Sequence, residues 1–227
     1  TAKTAAFLIT ILQDLIKRPI PKGDRFSSEP RALIIAPTRE LALQIEKDAI
    51  KLTKHVDLNV YSVLGGIDYQ KQKTHVRNEV IDLLVATPGR LIDFLNSNDL
   101  YLDQLDFLVI DEADRMLDMG FIPDVKRIIS RCPKVDHRQT LLFSATFSED
   151  VLNLAKRWTS NPVFVEIEAE QLTTDTVEQK VFMVPADEKL KIICNYIDQN
   201  DVSKAIIFGN RRDETRRLES ALKGKGI

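Results

Sequence analysis

Apolar, β-branched runs alternate with amphipathic stretches along the first 167 residues. Such runs, with little polar alternation, are typical of strands buried on both faces of a parallel sheet. The predicted strands are Ala32–Ile35, Asn59–Leu64, Ile81–Ala86, Leu105–Ile110, Gln139–Phe143 and Val163–Ile167. Because parallel strands need crossover connections, usually helices, this alternation predicts an α/β fold with a parallel sheet.

Helical periodicity fills the stretches between these strands. Leu41, Ile45, Ala49 and Leu52 share one face of a helix that Thr38 is placed to cap. Further helices are predicted from Ala5 to about Lys17, around Leu91–Leu95, at Asp124–Ser130 and at Glu149–Trp158. Helices are therefore expected on both faces of the sheet.

A change of pattern separates the last quarter of the chain. Residues 168–178 are polar and aperiodic, which predicts a linker. A new α/β pattern follows: strand Lys180–Val184, helix Glu188–Gln199, strand Lys204–Phe208 and helix Arg212–Lys223. Since the sequence stops at Ile227, we expect a second domain that is only begun, with a poorly anchored end.

Composition narrows the class of protein. The 227 residues are 44% hydrophobic and 29% charged, as in globular proteins. A net charge of −2 is not the strongly basic charge typical of a dedicated nucleic-acid-binding protein, so any binding of nucleic acid must use local groups. Cys132 and Cys194 fit reduced thiols, and the three histidines have no ligand spacing. Without an apolar run of about 18 residues or a secretory signal, we expect a cytoplasmic protein with no membrane partner. Thr1 is not an initiator Met, so an upstream segment is expected.

The acidic run Asp111-Glu112-Ala113-Asp114 directly follows a predicted buried strand. Ligands of open α/β sheets bind at this end of the strands. Adjacent carboxylates there suit holding Mg²⁺ with one group and polarising a water molecule with the other. The alternative is a solvated acidic loop after an ordinary strand.

Lys3-Thr4 at the start of a helix matches the end of the P-loop pattern G-x-x-x-x-G-K-[ST]. The opening of that loop is absent, and Ala2 stands where the pattern has its last glycine. A left-handed alanine would cost about 1 kcal/mol, so we expect some strain at Ala2. Alone, the dipeptide is a weak signal; with Asp111 and Glu112 it predicts a nucleotide site. Lys3, Asp111 and Ser144 are all expected at the carboxyl ends of strands.

The tetrapeptide Asp111–Asp114 also names the DEAD-box RNA helicases of superfamily 2, and the chain resembles that family. Pro37-Thr38-Arg39-Glu40-Leu41 matches the family's first RNA-contacting motif. Other motifs follow in the family's order and approximate spacing: Gly65-Gly66, Thr87–Arg90, Ser144–Thr146 and Ala205–Asn210. The ordered set is specific, although no single member is. Arg115-Met116 and Glu166–Gln171 are most similar to bacterial helicases of the RNA-degradation machinery.

The resemblance implies a RecA-like fold: domain 1 at residues 1–167 without its N-terminal part, the linker 168–178 and a truncated second RecA-like domain at 179–227. It implies ATP and Mg²⁺ as cofactors, with Lys3 on the phosphates and Glu112 positioning or deprotonating water. Lys3, Asp111 and Glu112 would be catalytic, and Thr4 and Asp111 would hold the metal. The full cofactor-binding set would be Thr1, Ala2, Lys3, Thr4, Asp111 and Glu112.

The resemblance also implies RNA as a partner, read through its backbone, and partners among RNA-processing or degradation proteins. The implied RNA-binding residues are Pro37, Thr38, Arg39, Gly65, Gly66, Thr87, Gly89 and Arg90. Asp114, Ser144 and Thr146 would couple the ATP state to RNA engagement through contact of the Ser144–Thr146 motif with Asp114, although two hydroxyls at a strand end are also common local caps.

The expected activity is ATP-dependent, local unwinding of RNA. An RNA-binding clamp with little turnover and a DNA-dependent ATPase remain alternatives. The intact Asp111-Glu112 pair argues against the clamp, because a binding module needs no water-activating carboxylate. The family completes its site with an arginine from far into the second domain, so the 227 residues alone are expected to hydrolyse almost no ATP.

Overall fold

The computed structural model describes residues 2–166, 178, 180–185, 188–200 and 202–226, without the side chains of Ala2 and Lys22. The chain divides into two compact units, Thr1–Val165 and Glu166–Ile227. The domain limits and the linker 168–178 stay predictions, because all of that linker except Glu178 lies outside the described residues.

The first unit is built on a five-stranded sheet in which every neighbouring pair is parallel. Its strands are β1 (Ala32–Ile35), β2 (Val60–Val63), β3 (Leu83–Ala86), β4 (Phe107–Ile110) and β5 (Gln139–Leu142). The spatial order is β2-β3-β1-β4-β5. The predicted parallel α/β sheet is confirmed, with strand ends one or two residues shorter than predicted in most cases.

Seven helices of this unit surround the sheet in the described residues. They are α1 (Ala2–Lys17), α2 (Arg39–Leu52), α3 (Tyr69–Asn78), α4 (Pro88–Asn96), α5 (Ala113–Asp118), α6 (Ile122–Ile129) and α7 (Glu149–Trp158). Short 3₁₀ turns occupy Lys22–Asp24 and Val135–His137. Thr38 caps α2 as predicted, since its hydroxyl accepts the Leu41 N–H at 3.3 Å. Leu52 was expected on the buried face of α2, but it is 49% exposed.

Alternate residues of the central strands feed two apolar cores, one on each face of the sheet. Leu33 and Leu108 pack with α3 to α7, and Ile34 and Val109 pack with α1 and α2. All four residues of β1 are buried, which explains its lack of polar alternation. β5 was predicted to be buried, but Gln139 is exposed and the other three residues are only partly buried, whereas β2 at the opposite edge is mostly buried.

Three predicted strands are absent from the structure. Residues 163–166 form no strand, and neither do residues 180–184 or 204–208. A strand exists through ladder bonds to a neighbour, and the described residues offer these segments none. The helices of the second unit do form, as α8 (Lys189–Gln199) and α9 (Arg212–Lys223). Their bounds agree with the predicted helices to within one residue.

Two further observations concern the cysteines and the apolar character of the helices. Cys132 is half-buried, Cys194 is buried, and neither forms a disulfide. Among the described residues, no helix combines the length and apolar character needed to cross a membrane.

Candidate functional site

The residues with predicted chemistry lie mainly along the carboxyl edge of the sheet. In spatial order, the loops at this edge begin with Leu64 after β2, Thr87 after β3, Ala36 after β1, Asp111 after β4 and Phe143 after β5. We call the β2, β3 and β1 loops, with residues 37–39, 65–66 and 87–90, the basic half. The acidic half comprises residues 111–114 and 144–146 together with Lys3. The order of the strands therefore separates the residues predicted to bind RNA, in the basic half, from those predicted to bind nucleotide or to couple the two sites, in the acidic half.

Asp111 is the most buried carboxylate of the acidic half. Its backbone N–H donates to Ile35 O at 3.0 Å, and its Oδ1 accepts the Glu112 N–H at 2.9 Å. Burial raises the pKa of Asp111 and nearby Glu112 adds to the rise, while the Glu112 N–H and the charge of Lys3 oppose it. The net shift of the Asp111 pKa is upward, so a cation bound beside this carboxylate would stabilise its charged form.

Glu112 has an unusual backbone and a carboxylate oxygen without a hydrogen bond. Its φ of 50° and ψ of 54° are left-handed, a conformation that costs a non-glycine residue about 1 kcal/mol or more. Its Oε2 is buried and lacks a hydrogen-bond partner. Arg115 Nη1 forms an ion pair with this oxygen at 3.6 Å. A buried, unsatisfied acceptor beside Asp111 suits a water molecule or a ligand-bound proton.

Lys3 reaches the same edge from the first turn of α1, and its predicted place directly after a strand stays a prediction. The Lys3 Nζ donates to Ser144 O at 2.6 Å. Thr4 is buried, and Thr1 lies outside the described residues. The expectation of backbone strain at Ala2 is wrong. Ala2 is helical and is not among the left-handed non-glycine residues that the structure describes.

Asp114, Ser144 and Thr146 form one hydrogen-bonded cluster. Asp114 Oδ2 accepts both the N–H and the Oγ1–H of Thr146, each at 3.0 Å. Ser144 Oγ accepts the Asp114 N–H at 3.3 Å and donates to Thr146 O at 2.7 Å. Burial raises the pKa of Asp114, but bonds from Thr146, Arg115 N–H and Ser144 outweigh it and lower the pKa. The contact predicted between Asp114 and the hydroxyl pair is confirmed.

In the basic half, Arg39 meets the glycine turn that follows β2. Its Nη1 donates to Gly66 O at 3.3 Å. Gly66 has a φ of +74°, and a Cβ at this position would lie 2.8 Å from Arg39 Nη1. The left-handed backbone therefore favours glycine here, whereas the Arg39 guanidinium ends a flexible side chain that could shift.

Arg90 joins the loop after β3 to the same turn. Its Nη1 donates to Ile67 O at 3.0 Å, and its guanidinium lies 5.6 Å from the centroid of the Tyr69 ring. Tyr69 is held in turn, since its hydroxyl donates to Asp99 at 2.8 Å. Only 13% of the Arg90 side chain is exposed. Arg90 is therefore fixed in place before any ligand arrives.

The remaining predicted residues also lie on this edge. Pro37 is buried and Thr38 caps α2, whereas Gly89 is exposed in the first turn of α4. Thr87 precedes α4, but its side chain makes no cap hydrogen bond. Of the two threonines, Thr38 alone has capping as an observed role.

Sequence reasoning missed three supports of this half: Gln72, Tyr69 and Asp99. Gln72 and Tyr69 belong to α3, which was not predicted. The available signal was Asp68, whose side chain caps α3 by accepting the Lys71 N–H at 2.8 Å. Asp99 is 1% exposed and also pairs with Lys73 and Arg77. Nothing in its local sequence distinguishes it from a surface aspartate.

No cluster of three or more His, Cys, Asp or Glu side chains suited to a metal occurs in the described part of the chain. Mg²⁺ does not require one, because it is commonly held by one or two carboxylates together with substrate phosphates and water. Asp111, with its raised pKa and the unsatisfied Glu112 oxygen beside it, fits that mode.

The all-parallel sheet with helices around it is a RecA-like domain. Residues 1–154 match the family described as DEAD/DEAH box helicase, and the chain belongs to that family. Over 227 residues it is 53% identical to an ATP-dependent RNA helicase RhlB of Pseudomonas aeruginosa, covering 100% of this chain and 57% of that protein. The RhlB of Shewanella baltica is 41% identical over 226 residues, covering 100% of this chain and 51% of the relative.

Solved structures agree with this assignment. The yeast DEAD-box splicing factor Prp28 is 38% identical, with a TM-score of 0.65 over 70% of this chain and 38% of that chain. A hypothetical ATP-dependent RNA helicase from Sulfolobus tokodaii is 34% identical, with a TM-score of 0.59 over 70% of this chain and 43% of its own. The chain thus spans about half the length of the curated relatives it matches.

Proposed function

We propose that the complete protein is an ATP-dependent RNA helicase that binds the RNA backbone and separates short duplexes locally as it hydrolyses ATP. This chain supplies the nucleotide site from its acidic half and part of the RNA groove from its basic half. The RhlB relatives, matched along the whole of this chain, support the proposal.

The observation that carries the proposal is the state of Glu112. Its buried Oε2 has no hydrogen bond, and it stands beside Asp111 at the carboxyl edge. A general base must hold an available acceptor within reach of the attacking water. A module that only bound RNA would have no use for such a group.

The protein's own residues have distinct tasks in this proposal. Lys3 leaves Ser144 O to contact the β- and γ-phosphates, and Glu112 positions the water or accepts its proton. Thr4 and Asp111 would hold Mg²⁺, which when bound neutralises charge on the phosphate oxygens. Asp114, Ser144 and Thr146 link this site to RNA engagement, because Lys3 and Asp114 both contact Ser144.

The basic half is proposed to bind RNA through phosphates rather than bases. Arg39 and Arg90 flank the Gly66 turn, and both retain N–H groups beyond those used for backbone carbonyls. Proteins that process or degrade RNA are the proposed partners. We also propose a cytoplasmic setting, which the unpaired thiols Cys132 and Cys194 support.

The test is phosphate release by the complete protein with single-stranded RNA, with DNA of the same sequence and with neither, followed by strand displacement from a short RNA duplex. Stimulation by RNA together with ATP-dependent displacement is expected. Equal stimulation by DNA would instead make the protein a general nucleic-acid ATPase. RNA binding without turnover would make it a clamp.

A further inference from the structure

The side chain of Gln72 closes the glycine turn of the basic half from inside the protein. Gln72 is 1% exposed, and its Oε1 accepts the Leu64 N–H at 2.7 Å. Its Nε2 lies 3.1 Å from Leu64 O, 3.3 Å from Ile67 O and 3.4 Å from Asp68 O. One amide thus bonds the residues on both sides of Gly65-Gly66. Its orientation is fixed, because the N–H needs an acceptor and the carbonyls need donors.

Gln72 acts on the same carbonyl as an arginine of the groove. Ile67 O accepts from Gln72 Nε2 and from Arg90 Nη1, while the neighbouring Gly66 O accepts from Arg39 Nη1. Donors from α2, α3 and α4 therefore converge on two successive peptide groups. Arg39 is exposed and Arg90 keeps 13% of its side chain exposed, whereas Gln72 is sealed from solvent.

We propose that Gln72 is a positioning residue for RNA binding. It holds the Leu64–Asp68 turn in the conformation that places Gly66 against Arg39 and Ile67 O against Arg90. The three groups then meet a phosphate backbone in one preset arrangement. This role rests on the proposed RNA-binding function and names a residue that contacts no RNA itself.

The alternative is a buried glutamine that only stabilises the fold. The two roles differ in what they predict for an isosteric replacement. Gln72→Met keeps the volume but removes both the donor and the acceptor. Gln72→Glu keeps the acceptor for the Leu64 N–H and faces the carbonyl oxygens of Leu64 and Ile67 with negative charge. Both variants release the turn, and neither touches the acidic half.

The experiment measures RNA-stimulated ATP hydrolysis by the complete protein against the concentration of a single-stranded oligoribonucleotide. For Gln72→Met and Gln72→Glu, the RNA concentration giving half-maximal stimulation should rise about tenfold, as for a displaced binding group. The maximal rate, the rate without RNA and the affinity for a fluorescent ATP analogue should stay within about twofold of wild type.

Val76→Ala is the matched control. Val76 is fully buried on α3 one turn after Gln72, and it packs in the core without polar contacts. It should lower stability while leaving the half-saturating RNA concentration unchanged. Urea unfolding of all variants then separates stability from positioning.

Two results would overturn the positioning role. One is an unchanged half-saturating RNA concentration in either folded Gln72 variant. The other is a rise in Val76→Ala that matches the rise in the Gln72 variants at equal loss of stability. A wild-type protein that RNA neither binds nor stimulates would be a different failure, because it would remove the proposed function itself.

Discussion

The two halves of the carboxyl edge are held by different kinds of contact. In the acidic half, Lys3 and Thr146 make exposed or partly exposed bonds that a ligand could replace. In the basic half, the anchors are Gln72 and Asp99, each 1% exposed, so the anchoring group of each bond is itself shielded from solvent. The comparison indicates that the acidic half is built to exchange partners, whereas the basic half is fixed before any ligand arrives.

Glu112→Gln tests the acidic half most severely. The amide preserves shape but cannot accept the proton of the attacking water, so ATP turnover should fall by about 10²- to 10⁴-fold with nucleotide and RNA binding retained. Phosphate release and analogue binding by the complete protein measure the two effects. Asp118→Asn, an exposed change at the end of helix α5, which begins directly after Glu112, is the control and should keep the wild-type rate. A wild-type rate in Glu112→Gln would reduce Glu112 to a loop carboxylate.

Asp99→Asn tests whether the basic half is prebuilt. The change removes a buried charge that pairs with Lys73 and Arg77 and accepts from Tyr69. The free energy of unfolding at pH 7 should fall by about 2 kcal/mol, the scale of hydrogen bonds to a charged group. Urea unfolding measures it. The same loss from Asp103→Asn, an exposed aspartate, would show that position 99 is not special.

The pH dependence of the same variant sharpens this test. Burial raises the pKa of Asp99, but Tyr69, Lys73 and Arg77 outweigh it and hold the pKa below its ordinary value of about 3.9. A lowered pKa stabilises the folded state above that ordinary value and loses the effect as pH falls through the folded-state pKa. Asp99→Asn should therefore approach wild-type stability only in strong acid. A stability difference that stays constant from pH 7 to pH 2 would contradict the pairing.

Asp114→Asn tests exchange within the acidic half. Asp114 accepts from Thr146 through Oδ2 and from Arg115 N–H through Oδ1, so an amide group must turn its NH₂ towards one donor. The ratio of ATPase rates with and without RNA should fall about 5- to 10-fold, a typical coupling free energy. Rates at saturating RNA and without RNA give that ratio. An unchanged ratio would leave the Asp114 cluster with a local structural role.

Ala2→Gly should have the smallest effect. Because Ala2 is already helical, glycine relieves no left-handed strain, and nucleotide affinity should change by less than about threefold. Titration of a fluorescent ATP analogue measures it. A gain of tenfold or more would mean that the loop preceding Lys3 needs glycine in its bound conformation.

Sequence alone predicted the scaffold well where burial is two-sided. β1 and α7 agree with prediction residue for residue, because an unbroken apolar run and a clear helical face leave few alternatives. α3 was missed because Gln72 and Val76 are its only residues buried in the structure. The strands predicted at 180–184 and 204–208 failed for another reason, since a strand depends on neighbours that its own sequence does not contain.

In the candidate site too, some contacts could be predicted from the sequence and others could not. Contacts between side chains that both belong to recognised motifs, such as Asp114 and Thr146, could be predicted. Contacts of Lys3 with Ser144 O and of Arg90 with Ile67 O could not, because their acceptors are main-chain carbonyls present at every residue. Only three-dimensional placement distinguishes one such carbonyl from another.

This use of main-chain acceptors has a genetic consequence. Two donors meet on Ile67 O, and every amino acid at position 67 would present the same oxygen. Substitutions there can alter packing but cannot delete the acceptor. Mutational sensitivity at this junction therefore concentrates on the donors Gln72 and Arg90, and a saturation library should tolerate far more residues at 67 than at 72.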